Sequence, residues 1–144
     1  MAAKRKSNAN KKEEAAPAVV HDRSAASRKI LDQVLGMQLY IIVTDPLRAE
    51  GGEERFLAHL EHQVALERRG IMFGAGPLQN EDKDGPTRGM IVIRAKSFAD
   101  ARRIADSDPY HKAGARKYKL YRWNLNEGTM TFRVNYTGQT VKIS

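Results

Sequence analysis

Residues 55–77, RFLAHLEHQVALERRGIMFGAGP, contain a predicted helix, the signal that ends it and the start of a strand. Apolar residues recur at three- and four-residue spacing through the first half, which predicts an α-helix with an apolar stripe on one side and charged residues facing water. The stripe consists of Phe56, Leu57, Leu60, Val64 and Ala65. Gly70, directly after two arginines, is the expected helix C-terminus, and a strand is predicted from Ile71.

His59 lies at the border of this stripe, where we expect it to be half buried. A histidine with one apolar wall and one open side can be tuned across neutral pH, as a general acid or base requires. The alternative, which spacing alone favours, is a structural histidine at a helix edge. His62 follows one turn later, but two histidines with no cysteine and no third ligand are a weak metal signal, so we predict no metal and a solvated His62.

The composition describes a chain with room for one domain of ordinary size, with 144 residues of which 41% are apolar. The chain has no cysteine, which excludes disulfides, thiolate nucleophiles and thiolate metal sites. No apolar run approaches the roughly 20 residues that span a bilayer, and the start lacks the apolar segment of a secretory signal. We therefore expect a soluble, cytoplasmic protein without a membrane partner.

The net charge of +8 is concentrated at the N-terminus. Residues 1–30 hold eight lysines and arginines against three acidic residues, which leaves only +3 for the rest of the chain. Short basic N-termini are usually solvated, and the basic residues within 116–122 are typical of the polar edge of a sheet. No aromatic pattern for base stacking accompanies them, so nucleic acid is not an expected partner.

The N-terminal segment, residues 1–36, is predicted to be a basic and largely disordered extension, because it offers little apolar area to bury. A short helix within it is predicted to start at Ser24 or Ser27 and to run through Leu35. Met37 stands directly before the first predicted strand. A second interpretation of the segment is therefore that translation begins at Met37.

The order of the predicted elements defines the fold. Apolar, β-branched or aromatic stretches predict three further strands, at 38–44, 89–95 and 118–123. A polar loop at 79–87 separates the second and third strands, and Ser97 caps a second long helix that ends before Asp108. The resulting order βαββαβ predicts a ferredoxin-like α+β fold, with an antiparallel sheet and both helices on one face.

Both faces of the predicted strands are apolar, and the two helices can cover only one of them. We therefore expect a homodimer or a higher homo-oligomer, in which a second subunit covers the open face of the sheet. The α+β domain is assigned to residues 37–128. Residues 129–144 are predicted to add a β-hairpin that turns near Thr137 and Gly138 and is exchanged with the partner subunit.

Three stretches carry a resemblance to a known family: HLEHQVALERRGIMFGAGPL, GMIVIRA, and ADSDPYHKAG followed by a strand. Over residues 37–125 the chain resembles the YciI-like family, also called YCII-related, of dimeric α/β-barrel proteins. The spacing from His59 to Gly70 to the Ala-Gly-Pro at 75–77, with Asp108-Pro-Tyr downstream, makes the resemblance specific. The resemblance implies a His–Asp active site, which falls on His59 and Asp108.

The resemblance also implies what such a site would do. Family relatives include a dehydrochlorinase that acts on a chlorinated hydroxyquinone, and related barrels include muconolactone isomerases. We predict a small lyase, isomerase or dehalogenating enzyme that acts on a small-molecule substrate without a cofactor, with Asp108 orienting His59 for proton transfer. Substrate contacts are predicted at Arg55, Gly76, Pro77 and Tyr110. The alternatives are a non-catalytic ligand-binding or accessory protein, and an Asp-Pro pair that only ends a helix.

Overall fold

The structure is a computed structural model, and it describes residues 24–47, 51–81 and 88–143. The chain forms two units, Met1–Gln33 and Val34–Ser144. Most of the predicted N-terminal extension and most of the predicted loop at 79–87 lie outside the described residues. None of the helices in the described ranges is long and apolar enough to cross a membrane.

In the first unit, the described part contains one short helix, α1 (Ala25–Leu31). The Ser24 side chain caps this helix by accepting a hydrogen bond from the backbone N–H of Ser27, so the first of the two predicted caps is used. The helix ends four residues before the predicted end at Leu35. None of its residues is buried, and so short a helix has no packed face that would extend it.

In the second unit, four strands and two long helices follow the predicted order βαββαβ. They are β1 (Met37–Pro46), α2 (Gly52–Arg68), β2 (Met72–Leu78), β3 (Arg88–Ile93), α3 (Phe98–Asp106) and β4 (Arg116–Leu125). The strands form one antiparallel sheet in the order β2-β3-β1-β4, in which Ile42 pairs with Ile91 on one side and Leu120 on the other. The predicted ferredoxin-like α+β fold is confirmed.

Two smaller elements complete this unit. A one-turn helix, α4 (Pro109–Lys112), connects α3 to β4; the sequence does not predict it, because four residues are too few to show an apolar period. The hairpin expected near the C-terminus is formed by β5 (Phe132–Asn135) and β6 (Thr140–Ile143). These two strands pair with each other as a separate antiparallel sheet.

The core lies between the sheet and the two long helices. It consists of the buried residues Tyr40, Ile42, Leu66, Ile91, Ile93, Ala101, Ile104 and Ala105. Three of these residues come from α3, whereas α2 contributes only Leu66. α2 is therefore held on the sheet by less apolar side-chain burial than α3.

The apolar stripe of α2 faces solvent, so the prediction that this stripe is the side turned away from water is wrong. Phe56, Leu57, Leu60 and Val64, which we call the outer stripe, are between 41% and 52% exposed. The opposite side of the helix carries Leu66 and half-buried polar residues, namely Arg55, His59, His62 and Gln63. A periodic pattern shows that a helix has two sides, but not which side meets the sheet. Here hydrogen bonds from the polar side to the segment between α3 and α4 fix the rotation of the helix.

α2 ends as predicted, at Gly70. This glycine has φ +68°, a left-handed conformation that it adopts without a Cβ penalty. Its N–H donates to the carbonyl of Glu67 at 2.8 Å, and the N–H of Ile71 donates to the carbonyl of Leu66 at 3.0 Å, which is the Schellman pattern. Because the chain turns directly from this cap into β2, the cap also fixes where α2 lies along the sheet.

Candidate active site

Asp108 lies at the junction of α3 and α4, where the backbone holds its carboxylate in place. The proline that follows keeps Asp108 out of the helical conformation, with ψ at 133°. Its side chain therefore caps α4, and Oδ1 accepts a hydrogen bond from the N–H of Tyr110 at 2.8 Å. Asp108 is buried, as charged side chains rarely are unless they are paired. Its second oxygen, Oδ2, is the atom that α2 reaches.

Two residues of α2, one turn apart, contact this second oxygen. His59 Nδ1 lies 2.8 Å from Asp108 Oδ2, and Gln63 Nε2 donates to the same oxygen at 3.1 Å. The His59 side chain is 20% exposed and the Asp108 side chain is 3% exposed. The fold thus brings together two residues that are 49 positions apart in the chain, and one edge of the imidazole stays open to solvent.

The charge state of the pair follows from its surroundings. Burial by itself raises the pKa of Asp108, but the hydrogen bond and charge of His59, the N–H of Tyr110 and the charge of His111 outweigh it, and the pKa lies below its ordinary value. Asp108 is therefore ionised at neutral pH and can only accept hydrogen bonds. It follows that Nδ1 of His59 carries the hydrogen of this contact and that Nε2 is the basic nitrogen of the neutral ring.

An aromatic and a cationic side chain lie beside the imidazole. The centroid of the Tyr110 ring is 4.8 Å from that of the His59 ring, and Arg116 Cζ is 5.1 Å from the Tyr110 ring centroid. Tyr110 is buried, so the structure places it as a wall against which the imidazole rests. Arg116 brings a positive charge next to this wall. From the sequence it is only one of several basic residues on a strand, and its place beside Tyr110 follows from how β4 lies against α4.

The other three predicted substrate contacts have neighbours of their own. Arg55 lies one turn before His59 on the inner side of α2, and its guanidinium folds back over Gly51 at the start of the helix. Gly76 and Pro77 are exposed residues of the edge strand β2, where they pair with β3. A role for these residues in binding a substrate stays a prediction.

His62 is half-buried, so the prediction of a solvated side chain is wrong. Its Nε2 lies 3.3 Å from Ser107 Oγ, and because the Ser107 hydroxyl donates to the carbonyl of Ile104 at 2.6 Å, Ser107 accepts from His62. Burial lowers the pKa of His62; the Asp108 carboxylate opposes this shift, and neighbouring cationic side chains reinforce it. His62 is therefore neutral at neutral pH and ties α2 to the end of α3.

His111 shows what a structural histidine looks like in this fold. Its Nδ1 donates to the carbonyl of Ala105 at 2.7 Å and its Nε2 forms a hydrogen bond with Thr44 Oγ1 at 3.1 Å, so both ring nitrogens are used. His59 differs, because Nδ1 meets a carboxylate while Nε2 has no hydrogen-bond partner among the described residues. Within the same ranges, His, Asp and Glu side chains form no group of three or more that could hold a metal ion.

Gln63, like Arg116, is a residue of the site that sequence reasoning missed. The available signal was its position four residues after His59, which places both on one side of the helix. Its Oε1 is buried and, in the described part of the chain, has no hydrogen-bond partner.

The His59–Asp108 pair lies within a region that matches a known protein family. The family described as YCII-related domain matches residues 37–124, which run from β1 nearly to the end of β4 and leave out the hairpin. Among solved structures, the chain is similar to a 5-chloro-2-hydroxyhydroquinone dehydrochlorinase from Burkholderia phenoliruptrix AC1100 in complex with 2,5-dihydroxybenzoquinone. The two are 23% identical, the match covers 60% of this chain and 93% of that chain, and the TM-score is 0.46. No curated protein matches the chain.

Proposed function

This chain belongs to the YCII-related domain family, and we propose that it is a small enzyme in which His59 transfers protons on a small-molecule substrate. One observation carries the proposal: His59 Nδ1 is 2.8 Å from the buried carboxylate of Asp108, while the imidazole keeps an exposed edge. A carboxylate at one nitrogen fixes the tautomer and stabilises the imidazolium that forms when the other nitrogen takes a proton. This arrangement is well suited to general acid–base catalysis.

In the proposed reaction, Nε2 of His59 removes a proton from a carbon or a hydroxyl group of the substrate. The electron pair left behind either shifts a double bond or expels a leaving group such as halide. Return of the proton from Nε2 to a different substrate atom completes an isomerisation, and its release to water completes an elimination. Asp108 stays ionised throughout, so we assign it as the positioning residue of His59. The proposed chemistry uses no cofactor.

The neighbours of the pair support this role because they restrict its geometry. Asp108 accepts hydrogen bonds from Gln63 and from the backbone of Tyr110 in addition to His59, so its carboxylate is held on both oxygens. The Tyr110 ring limits the rotation of the imidazole. Groups that are held in a reactive orientation save the entropy that would otherwise be lost in the transition state.

For the substrate, we propose a small ring compound that carries an anionic or hydroxyl group. Arg55 lies one turn before His59 on the same side of α2, and its guanidinium lies over Gly51 in the single chain. We propose that this side chain turns toward His59 to meet an anionic group of the substrate. Arg116 adds a positive charge next to Tyr110. We propose that Gly76 and Pro77 also contact the substrate, since small residues allow a ring to approach the backbone closely.

We further propose that the enzyme is a homodimer formed through the face of the sheet that carries no helix. Leu39 and Ile41 point to this face, because the residue between them, Tyr40, belongs to the core; Leu39 is already fully buried in the single chain, whereas Ile41 is half-buried. Trp123 and Tyr121 pair with them on β4 and are 36% and 48% exposed, which leaves apolar surface for a second sheet to cover. Light scattering at micromolar concentration should give twice the chain mass of 16.2 kDa; a monomer would contradict this assembly.

A second candidate function is non-catalytic binding of a small anionic ligand. The observation that favours it is an open cleft of about 530 Å³ beside α3, lined by Ala99, Arg102, Arg103, Asp106, Ser107 and Lys112. Half of these side chains are cationic, and neither His59 nor Asp108 is among them. Binding in this cleft would not depend on the imidazole of His59.

The experiment that tests the proposed reaction is a screen of small halogenated and hydroxylated ring compounds, followed by NMR in D2O. Wild type should incorporate deuterium, shift a double bond or release halide with at least one compound. In His59→Asn the rate should fall about 10²- to 10⁴-fold, the usual contribution of general acid–base catalysis. His62→Asn is the matched control, because it removes the neighbouring histidine on the same side of α2 without touching Asp108.

The two candidate functions give different results in this screen. A His59→Asn protein that is as active as wild type would contradict the proposed role of His59. Compounds that bind wild type and His59→Asn equally, are never converted and lose affinity in Arg102→Ala would favour the anion-binding function instead.

A further inference from the structure

The outer stripe of α2 is an apolar surface that the described residues of the chain leave exposed. Phe56, Leu57, Leu60 and Val64 lie along one side of the helix over about two turns, and each is at least 41% exposed. Scattered exposed apolar residues are common, but a contiguous row on one helix is typical of a surface that binds another protein. The helix that carries the row is acidic, since α2 contains four glutamates and two arginines, a net charge of −2.

The C-terminal hairpin is a second apolar surface of the same chain. Phe132 and Val134 are two positions apart on β5 and therefore share one face, and Val141 on β6 pairs with Val134. These three side chains are between 60% and 64% exposed. A two-stranded hairpin is at best marginally stable by itself and needs an apolar partner surface. Residues 129–143 contain Arg133 and Lys142 and no acidic residue, a net charge of +2.

We propose that the hairpin of one copy of this chain docks with its apolar face on the outer stripe of α2 of a second copy. Each surface is apolar at its centre, and α2 and the hairpin carry opposite net charge, which steers their association at long range. Arg133 itself lies on the face of the hairpin opposite Val134, so the contact proposed here is apolar. The occupant is a second copy rather than the same chain, because both surfaces are exposed within one chain and its own hairpin does not cover its own α2. Each copy carries both a hairpin and an outer stripe, so two copies can dock reciprocally, related by a two-fold axis.

The docking has a consequence for the helix that carries His59. The inner side of α2 is polar and buries only Leu66, so few apolar contacts hold this helix on its own sheet. A hairpin on the outer stripe would cover the helix from the other side and slow its local opening. This inference does not depend on the proposed reaction, since it concerns surfaces on the outside of α2.

The absence of cysteine in the chain allows a direct test by disulfide trapping. Full-length Leu60→Cys and Val134→Cys proteins are mixed in a glutathione redox buffer, and the disulfide between the two different chains is quantified by mass spectrometry. Docking should form this disulfide on the order of a hundredfold faster than free collision, because it raises the effective concentration of the two thiols. The matched control is Val134→Cys mixed with Lys96→Cys, an exposed cysteine at a position outside α2.

Every outcome of the trapping experiment decides the proposal. A rate for the Leu60–Val134 pair no higher than that of the control would overturn it. A double variant with Leu60→Cys and Val134→Cys in one chain gives a second contradicting outcome. The proposal would be overturned if this variant forms a disulfide within the chain at high dilution while the mixture of single variants forms none between chains. In that case the hairpin covers its own helix.

Hydrogen exchange provides a second measurement that does not rely on engineered cysteines at the contact itself. Val134→Glu places a charge in the apolar face of the hairpin, so it should undo the docking and raise amide hydrogen exchange across 52–68 by about tenfold. Arg133→Glu is the matched control, because Arg133 points to the opposite face of β5 and its replacement should leave the exchange unchanged. No rise in exchange in Val134→Glu, or an equal rise in both variants, would overturn the proposed contact.

Discussion

Helices α2 and α3 lie against the same face of the sheet, but they turn opposite kinds of side chain toward it. α3 buries Ala101, Ile104 and Ala105 and exposes Arg102 and Arg103, as an amphipathic surface helix is expected to do. α2 turns its polar residues inward and its apolar stripe outward. The difference teaches that α3 supplies apolar side chains to the core, whereas α2 supplies His59 and Gln63 to the candidate site.

The two arrangements stabilise their helices by different means. The inward residues of α3 remove apolar area from water. This stabilisation changes little when the helix rotates slightly about its axis. The inward residues of α2 make hydrogen bonds to Asp108 and Ser107, which are favourable only at one rotation. Hydrogen bonds contribute less net stability than apolar burial of similar size, but they fix geometry more narrowly. α2 is thus positioned well and held weakly.

The largest expected effect is the difference in stability loss when one apolar side chain is truncated in each of the two helices. Ile104→Ala in α3 should lower the free energy of unfolding by about 2–5 kcal/mol, because it removes buried methylene groups and leaves a cavity. Leu57→Ala in α2 should change it by less than about 0.5 kcal/mol at protein concentrations that keep copies apart, because the side chain is half exposed. Urea unfolding measures both. Equal losses would mean that the outer stripe is part of the core.

The next effect concerns the polar side of α2. Gln63→Glu replaces a donor to Asp108 Oδ2 by a second carboxylate, and we expect a loss of about 1–3 kcal/mol at neutral pH. Gln63→Leu is the matched control, because it removes the donor together with the unpartnered Oε1 and adds no charge. It should therefore lose less stability than Gln63→Glu. If both variants unfold at the same urea concentration, the contact of Gln63 with Asp108 does not contribute to the stability of the protein.

The comparison also shows which parts of the molecule the sequence could predict. The order βαββαβ and the end of α2 at Gly70 follow from local signals, since apolar periodicity, capping residues and glycine determine the structure of the few residues around them. The encounter of His59 with Asp108 was expected only through a family resemblance, because no local pattern links residues 49 positions apart.

The rotation of α2 could not be predicted in the same way. Two stripes of comparable length run along this helix, and the choice between them is made by hydrogen bonds to the α3–α4 junction, which no local pattern reveals. Gln63 and Arg116 were missed for the same reason. The position of each depends on a contact that no local pattern shows: Gln63 contacts Asp108, and Arg116 contacts the Tyr110 ring.

A smaller effect is expected on the acid side of the stability profile. The pKa of Asp108 is lowered in the folded state, whereas an aspartate in the unfolded chain titrates near about 3.9. The unfolded state therefore binds the proton first, so the contribution of Asp108 is complete above about pH 4 and is lost as the pH falls further toward the lowered pKa. Asp108→Asn should flatten this part of the profile. Urea midpoints between about pH 5 and pH 3 test it, and parallel profiles would contradict it.

The smallest effect is expected for His62, which is only half-buried. Its pKa is lowered in the folded state, chiefly by burial, so the unfolded chain binds a proton at this position at higher pH than the folded protein does. Stability should then be independent of His62 above about pH 6.5 and should fall as the pH drops from there toward the lowered pKa. His62→Gln keeps a donor for Ser107 and should remove this slope. Urea midpoints of both proteins from about pH 7.5 to pH 5 measure the difference.

Salt identifies the cause of the His62 slope. Burial is the main cause, and the charges of Asp108, His59, Lys112 and His111 act in partly opposing directions. At about 1 M salt the Debye length shrinks to about 3 Å, so the contributions of those charges are screened while the effect of burial remains. The difference between wild type and His62→Gln should therefore survive in high salt. Its disappearance would mean that charge repulsion, rather than the packing of α2 against α3, keeps His62 neutral.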